Sequence, residues 1–203
     1  MHELLAWDQA AFVQVNGLEL GAWVAVFFRA VSLVGSWPGT VVILVHLVWL
    51  HQVGRRRAAW VLAATLVCSA LANGGIKAAV ERPRPLMAAE VGRPEGALIS
   101  AAPPWGERVE VGDLRLRTSP LRERSFPSGH AQHSFAWLVS LALLHRRGAA
   151  GFLGLAVLVA LSRVYLGVHY PLDVTVGAVL GTAFAFAGHA LPGQWEPAAE
   201  EPA

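Results

Sequence analysis

The chain has 203 residues, enough for one domain, and 55% of them are hydrophobic while only 15% are charged. Because a typical soluble domain is about 25% charged, this composition indicates a membrane protein. The formal net charge of +2 at pH 7 is too small to suggest a nucleic-acid partner, and the single cysteine excludes an intrachain disulfide.

The first 18 residues mix apolar and polar side chains without forming a continuous apolar run. The apolar residues in this stretch are Leu4, Leu5, Trp7, Phe12, Val13 and Val15. Such a pattern is typical of a helix that lies on the membrane surface. Segment 1–18 is therefore predicted to be an interfacial helix, and it lacks the basic start and cleavage site of a removable signal peptide.

Six apolar runs follow within a predicted membrane domain at residues 19–192. They are residues 20–36, 39–53, 58–80, 129–145, 149–167 and 172–190. Several approach the roughly 20 residues that a transmembrane helix needs, and the second is short. Because backbone groups in lipid must satisfy their own hydrogen bonds, each run is predicted to be helical. The predicted fold is an all-α polytopic membrane bundle of about six transmembrane helices.

The loops predict how this bundle is oriented. Loops 51–57 and 145–148 are short, contain arginines and have no acidic residue, so both should face the cytoplasm, together with both termini. Segment 86–125 balances its basic and acidic residues and is rich in turn residues, which indicates a long external loop with a short hairpin at 108–117. Residues 193–203 are predicted to be a disordered acidic tail.

Five ionisable residues far apart in sequence should share one level of this bundle. Arg163 lies about 15 residues above the inner end of its span, or roughly 22 Å up at 1.5 Å per residue. The other four lie near the outer ends of their spans: Lys77, His130, His169 and Asp173. Ionisable groups at membrane depth are costly and usually functional. Their convergence predicts one site at the outer membrane face.

The cations near this level indicate a site for a phosphate. Lys77, Arg84 and Arg163 together need an anion, and the planar guanidinium fork matches phosphate oxygens. The stretch "FPSGH" interrupts the chain where the fourth span begins, so Ser128 and Gly129 should lie at a helix N-terminus. Free N–H groups there are a ready anion site, and Ser128 adds a hydroxyl.

The histidines provide the chemistry for such a phosphate. His169 and Asp173 are four residues apart, so a helix would place them on one face, where the carboxylate can fix the imidazole tautomer. His169 could then act as a nucleophile and His130 as the general acid, with the cations stabilising the transition state. This scheme predicts a phosphohistidine intermediate and needs no metal or other cofactor.

The same residues make the chain resemble the type 2 phosphatidic acid phosphatase superfamily. Its signature K-x(6)-R-P, P-S-G-H and S-R-x(5)-H-x(3)-D appears here as "KAAVERPRP", "PSGH" and "SRVYLGVHYPLD". The resemblance implies a membrane lipid phosphatase. By position it implies that His169 is the nucleophile, Asp173 its orienting partner and His130 the acid. It also implies a set of phosphate-binding residues: Lys77, Arg84, Ser128, Gly129 and Arg163.

The sequence therefore predicts an outward-facing lipid phosphate or diphosphate phosphatase of a bacterial inner membrane, with a periplasmic site. Its partners would be membrane lipids and a lipid phosphate substrate. Undecaprenyl diphosphate and phosphatidylglycerol phosphate are the leading candidates by resemblance, while phosphatidic acid and lipid A phosphates stay open. A phosphotransferase between lipids is one alternative. A transporter with a buried charge relay is another, although it would usually show repeated halves, and none is apparent.

Three further features receive structural interpretations. Arg82 is predicted to belong to a turn where the chain leaves the membrane. His133 follows His130 at a spacing that resembles a metal pair, but without a nearby carboxylate a polar helix surface is favoured. The "GAVLG" motif at 177–181 should permit close helix packing within the bundle.

Overall fold

The computed structural model describes residues 2–90, 99–101, 108–111, 114–118, 121 and 123–191. Within these ranges the α-helices are α1 (His2–Gly17), α2 (Ala22–Ser32), α3 (Trp37–Gln52), α4 (Arg56–Ala79), α5 (Pro85–Glu90), α6 (Gly129–Leu144), α7 (Ala149–Tyr165) and α8 (Pro171–His189). Short 3₁₀ turns occupy Leu33–Gly35 and Arg146–Gly148, and the strands are β1 (Ile99–Ala101), β2 (Arg108–Val111) and β3 (Leu114–Leu116). The predicted all-α membrane fold is confirmed.

Helices α6 and α8 pack closely because two glycines of α8 face the backbone of α6. A Cβ atom on Gly177 would lie 2.6 Å from the Ser128 carbonyl oxygen, and one on Gly181 would lie 2.2 Å from the Gln132 oxygen. Glycine alone fits at such distances, so the predicted packing of this motif within the bundle is confirmed. The contact holds the first turn of α6 beside the first turn of α8, where Ser128 N donates to the Asp173 carbonyl at 2.9 Å.

The number of membrane crossings differs from the prediction. Among the described residues, the segments long and apolar enough to cross a membrane are Arg56–Ala79, Arg146–Tyr165 and Pro171–His189, with a fourth if the α2–α3 pair counts as one bent span. The chain turns by only 46° at the break between α2 and α3. These two helices therefore continue in a similar direction, whereas two separate spans would require the chain to reverse. The predicted count of six is not confirmed.

This bend also changes the position of the N-terminus. Helix α1 lies where α7 ends and α8 begins: the Asn16 side-chain amide donates to the Tyr165 carbonyl at 3.0 Å, and Leu172 N donates to Asp8 at 2.7 Å. Because α2 and α3 cross the bundle at most once, α1 and the C-terminal end of α8 lie at opposite ends. This arrangement does not support the expectation that both termini share one side, and the side that each terminus faces stays a prediction.

Helix α1 is held by its polar residues. Asp8 and Asn16 are fully buried and Phe12 between them is nearly so, whereas Leu4 and Trp7 are exposed. The buried side of α1 therefore contacts the protein and leaves apolar side chains outside. Placement of segment 1–18 in the membrane interface stays a prediction.

The long loop contributes a small antiparallel sheet in the order β1-β2-β3. Strand β2 pairs with β3 in the register Val109 opposite Leu116 and Val111 opposite Leu114, which confirms the predicted hairpin. Leu114 and Leu116 are buried in an apolar cluster with residues of α1 and the end of α7, and Arg117 N donates to the Leu166 carbonyl at 3.1 Å. The rest of the loop and the predicted tail at 193–203 lie outside the described residues.

Candidate functional site

The predicted site residues lie at one end of the bundle, where α4 and α7 finish and α6 and α8 start. Lys77 is in the last turn of α4, Arg163 is in the last turn of α7, and Ser128 is the N-cap of α6, directly followed by Gly129 and His130. The other three are Arg84 after α4, His169 in the turn before α8, and Asp173 in the first turn of α8. Helix packing thus brings together residues from three separate stretches of sequence, 77–84, 128–130 and 163–173.

His169 lies between a cation and a carboxylate. Its Nε2 is 3.1 Å from Arg84 Nη1, and its Nδ1 is 3.4 Å from Asp173 Oδ2. A guanidinium can only donate, so Nε2 must be the unprotonated nitrogen that accepts, and the ring proton lies on Nδ1 facing Asp173. His169 is 1% exposed, and this burial lowers the pKa of the imidazole to about 3. The ring is therefore neutral at physiological pH, with the Nε2 lone pair directed at Arg84.

Asp173 is fully buried and accepts hydrogen bonds on both oxygens. Oδ2 accepts from the Ser125 hydroxyl and, at 3.0 Å, from Tyr170 N, which also caps the start of α8. Oδ1 accepts from Arg82 Nη1 at 2.7 Å. Pro171 begins the helix and places Asp173 in its first turn, so the carboxylate is fixed by local backbone geometry as well as by its partners.

Three cations surround the space next to His169. Arg84 is held by the Glu123 carbonyl at 2.9 Å and the Val168 carbonyl at 3.0 Å. Arg163 is 5% exposed and donates to the Ser32 hydroxyl, while its buried Nε has no hydrogen-bond partner among the residues that the structure describes. Lys77 donates to the Arg124 carbonyl at 3.1 Å and interacts electrostatically with Arg84 and Arg163. Three positive charges that meet beside one histidine favour an anionic ligand.

The first turn of α6 borders the same space. Ser128 is fully buried, and its hydroxyl oxygen accepts from Ala131 N at 3.5 Å as the helix cap. His130 interacts electrostatically with Arg163, His169 and Arg84, which places it beside the cations. The α2–α3 bend packs against it, because a Cβ on Gly35 would lie 3.0 Å from His130 Cβ.

Sequence reasoning missed three residues that complete this arrangement. Arg82, predicted as part of an exit turn, forms ion pairs with Asp173 at 2.7 Å and with Asp8 at 2.5 Å. Ser125 bonds Asp173 and lies 3.4 Å from His169 Nδ1. Ser125 stands two residues before the "PSGH" motif and could have been considered with it, whereas nothing in the sequence connects Asp8 to the site.

The His130–His133 pair does not extend into a metal-binding cluster in the part of the chain that the structure describes. No group of three or more His, Cys, Asp or Glu side chains comes together there. His133 instead lines a cavity between α3, α4 and α6, together with the polar residues Asn73 and Gln132. Asn73 donates to Gln132 at 2.8 Å, so this polar surface links α4 to α6 below the site.

Comparison with known proteins decides the family. The model of the PAP2 superfamily matches residues 58–196, a stretch that includes all eight predicted site residues. The chain belongs to the PAP2 superfamily. This confirms the resemblance found in the sequence motifs, and it does not by itself test the role of any residue.

Individual PAP2 relatives match over shorter stretches. The chain is 43% identical over 63 residues to a bacitracin transport permease protein BcrC of Bacillus licheniformis, covering 31% of each chain. It is 47% identical over 64 residues to an undecaprenyl-diphosphatase of Sulfolobus acidocaldarius, covering 30% of this chain and 31% of the relative. The matches thus span about a third of these relatives' length.

A solved structure extends the similarity to nearly the whole chain. It is a transmembrane PAP2-type phosphatidylglycerolphosphate phosphatase from Bacillus subtilis, with a TM-score of 0.70 and 19% identity. The match covers 93% of this chain and 86% of that one. This likeness supports the same fold, including the helices outside the family match.

Proposed function

We propose that the protein is a membrane lipid phosphatase that hydrolyses a lipid phosphate or diphosphate through a phosphohistidine at His169. The observation that carries the proposal is the geometry of His169: Nδ1 faces Asp173 while Nε2 faces Arg84. A neutral imidazole with this tautomer has its nucleophilic lone pair directed into the group of cations. A phosphoryl group held by Arg84 would therefore lie next to the attacking nitrogen.

The first half of the reaction transfers the phosphoryl group to the enzyme. His169 Nε2 forms a bond to phosphorus as the bond from phosphorus to the lipid oxygen breaks, and His130 gives a proton to that oxygen. Asp173 stabilises the positive charge that develops on the imidazole. The charge spread over the equatorial oxygens is stabilised by the cations, Lys77, Arg84 and Arg163, by the Ser128 hydroxyl and by the N–H group of Gly129.

The second half returns the enzyme to its starting state. His130, now neutral, takes a proton from water as the water oxygen attacks phosphorus. The bond from phosphorus to His169 Nε2 breaks and phosphate is released. Positive charge from side chains supplies the stabilisation in both halves, so we expect turnover in the presence of a chelator.

The proposed substrate lies in the outer leaflet of a bacterial inner membrane. The site is at the end of the bundle opposite the basic loops 51–57 and 145–148, and the positive-inside rule puts those loops in the cytoplasm. The site would then be periplasmic, at the level of lipid headgroups. The names of the Sulfolobus relative and the Bacillus subtilis structure make undecaprenyl diphosphate and phosphatidylglycerol phosphate the first substrates to test.

One experiment tests the reaction and its main alternative. The purified protein is incubated in EDTA with undecaprenyl diphosphate, phosphatidylglycerol phosphate, phosphatidic acid or a lipid A phosphate, and both free phosphate and phosphorylated lipids are quantified. We expect free phosphate, inhibition by vanadate and no turnover by His169→Ala. Phosphate that appears on a second lipid instead would show a phosphotransferase. Turnover by His169→Ala, or activity that requires added zinc or magnesium, would refute the mechanism.

A further inference from the structure

Arg82 connects the proposed catalytic pair to the N-terminal helix. Its Nη1 donates to Asp173 Oδ1 at 2.7 Å, and its Nη2 donates to Asp8 Oδ2 at 2.5 Å. Both carboxylates are completely buried, and the Arg82 side chain is 15% exposed. Two buried carboxylates therefore share one guanidinium, an arrangement that is costly to build unless each charge is closely paired.

The surrounding contacts fix the guanidinium in this position. Arg82 stacks on the ring of Tyr170 with 4.1 Å between its Cζ and the ring centroid. The Phe12 ring of α1 packs on Tyr170 at 5.2 Å, and the second oxygen of Asp8 accepts from Leu172 N at 2.7 Å. Asp8 thus contacts both Arg82 and the first turn of α8. Helix α1 is attached to the helix that carries Asp173.

This geometry determines how Asp173 meets His169. Oδ2 of Asp173 faces His169 Nδ1, so a donor on Oδ1 sets the rotation of the carboxylate plane. Asp8 engages the other end of the guanidinium and thereby keeps Arg82 from binding both oxygens of Asp173 in the bidentate manner that arginine favours. A bidentate pair would draw the negative charge of Asp173 away from the imidazole.

We propose that Asp8 and Arg82 are positioning residues for the His169–Asp173 pair, and that α1 supplies a required part of the catalytic unit. This inference rests on the proposed role of His169 as nucleophile. It extends the site beyond the family match, because Asp8 precedes the first matched residue, Ala58.

Single substitutions test the two positions. In metal sites, loss of an outer-shell partner that orients a histidine typically lowers activity about 10- to 100-fold. By analogy we expect kcat to fall by about 10-fold in Asp8→Asn and by about 10- to 100-fold in Arg82→Gln. The phosphate-binding cations are untouched, so KM should change by less than about threefold. Glu3→Gln is the matched control: it removes a carboxylate from an exposed position of the same helix, and kcat should be unchanged.

A double variant separates positioning from general damage. If Asp8 acts through Arg82, the Asp8→Asn/Arg82→Gln enzyme should be no slower than Arg82→Gln alone, within about threefold. Assays use undecaprenyl diphosphate, phosphatidylglycerol phosphate and phosphatidic acid in detergent micelles, with thermal unfolding as the check of folding. If Asp8→Asn does not fold, Asp8→Glu keeps the carboxylate and should retain more than half of the wild-type kcat.

The contrary outcomes are distinct from one another. Four outcomes would each overturn this inference. Two concern the interaction: a wild-type kcat in Asp8→Asn, or single losses that multiply in the double variant. The other two concern the controls: a loss shared by Glu3→Gln, or an inactive Asp8→Glu. Turnover by His169→Ala would instead refute the proposed function itself. An inactive His169→Ala beside a fully active Asp8→Asn would refute only the positioning role.

Discussion

Replacement of Asp173 by asparagine isolates the carboxylate charge at the centre of the site. The two side chains have nearly the same shape, but asparagine offers one acceptor oxygen and one amide donor. Asp173 now accepts from Arg82 on one oxygen and from Ser125 and Tyr170 N on the other. In either orientation, the amide NH₂ of asparagine therefore faces a group that donates a hydrogen bond to Asp173.

The effect on rate follows from the tautomer of His169. With an amide in place of the carboxylate, the proton on Nδ1 is no longer favoured, and Nε2 can carry it instead of attacking phosphorus. The same change in a histidine-orienting aspartate of another enzyme class lowers kcat by about 10⁴-fold. We expect a loss of about 10³- to 10⁴-fold here, mostly in kcat, because the cations that bind phosphate keep their partners.

The effect on stability is smaller because Arg82 has a second partner. Breaking a fully buried ion pair costs about 3–5 kcal/mol when it leaves an unpaired charge. Arg82 keeps its bond to Asp8, so the cost should be closer to the about 1–3 kcal/mol of one unsatisfied buried donor. At about 2–4 °C per kcal/mol for a chain of this size, the unfolding midpoint should drop by roughly 2–12 °C.

Phosphate release and thermal unfolding in the same detergent check both numbers. Glu123→Gln is the control, because it makes the same chemical change in an 82% exposed side chain that lies 4.0 Å from Arg84. Its rate should stay within about twofold of the wild type, since an exposed ion pair contributes little. An Asp173→Asn enzyme with more than a tenth of the wild-type kcat would refute the assigned role.

Three further changes test packing, protonation and topology. Gly181→Ala places a Cβ 2.2 Å from a backbone oxygen of α6, so it should lower the free energy of unfolding by about 1–3 kcal/mol. The control Gly154→Ala meets nothing within 4 Å and should leave stability unchanged. Thermal unfolding measures both. Because burial lowers the pKa of His169 from 6.5 to about 3, the unfolded state binds its proton first as the pH falls. As the pH falls between these two values, the free energy of unfolding should decrease by up to about 1.4 kcal/mol per pH unit. His169→Gln should lack this contribution, so an equal dependence of the free energy of unfolding on pH in the wild type and in His169→Gln would contradict it. Topology is tested by cysteine labelling in a background whose native cysteine is replaced by serine. Glu3→Cys should react with an impermeant thiol reagent in intact spheroplasts, and Gln52→Cys should react only after lysis. Labelling of both from one side would contradict the single α2–α3 crossing.

The sequence alone determined the membrane class, the all-α fold and most of the residues that meet at the site. It could do so because membrane helices must be about as long as the bilayer is thick, which sets the depth of each residue along its span. Lys77, Arg163 and Asp173 were therefore assigned to one level without knowledge of which helices touch. The spacing of His169 and Asp173 then indicated that these two side chains pair, and they lie 3.4 Å apart. The assumed helix does not include His169, which lies in the turn before α8.

Only the tertiary structure decided how the chain enters the bundle and what orients Asp173. Hydropathy identifies the apolar runs 20–36 and 39–53 but not the angle between them, and the 46° bend moves the N-terminus to the end that carries the site. Asp8 and Arg82 are 74 residues apart, and their pairing depends on the packing of α1 against α8. A buried ion pair between distant segments has no periodicity or spacing in sequence, because its geometry arises from the arrangement of whole helices.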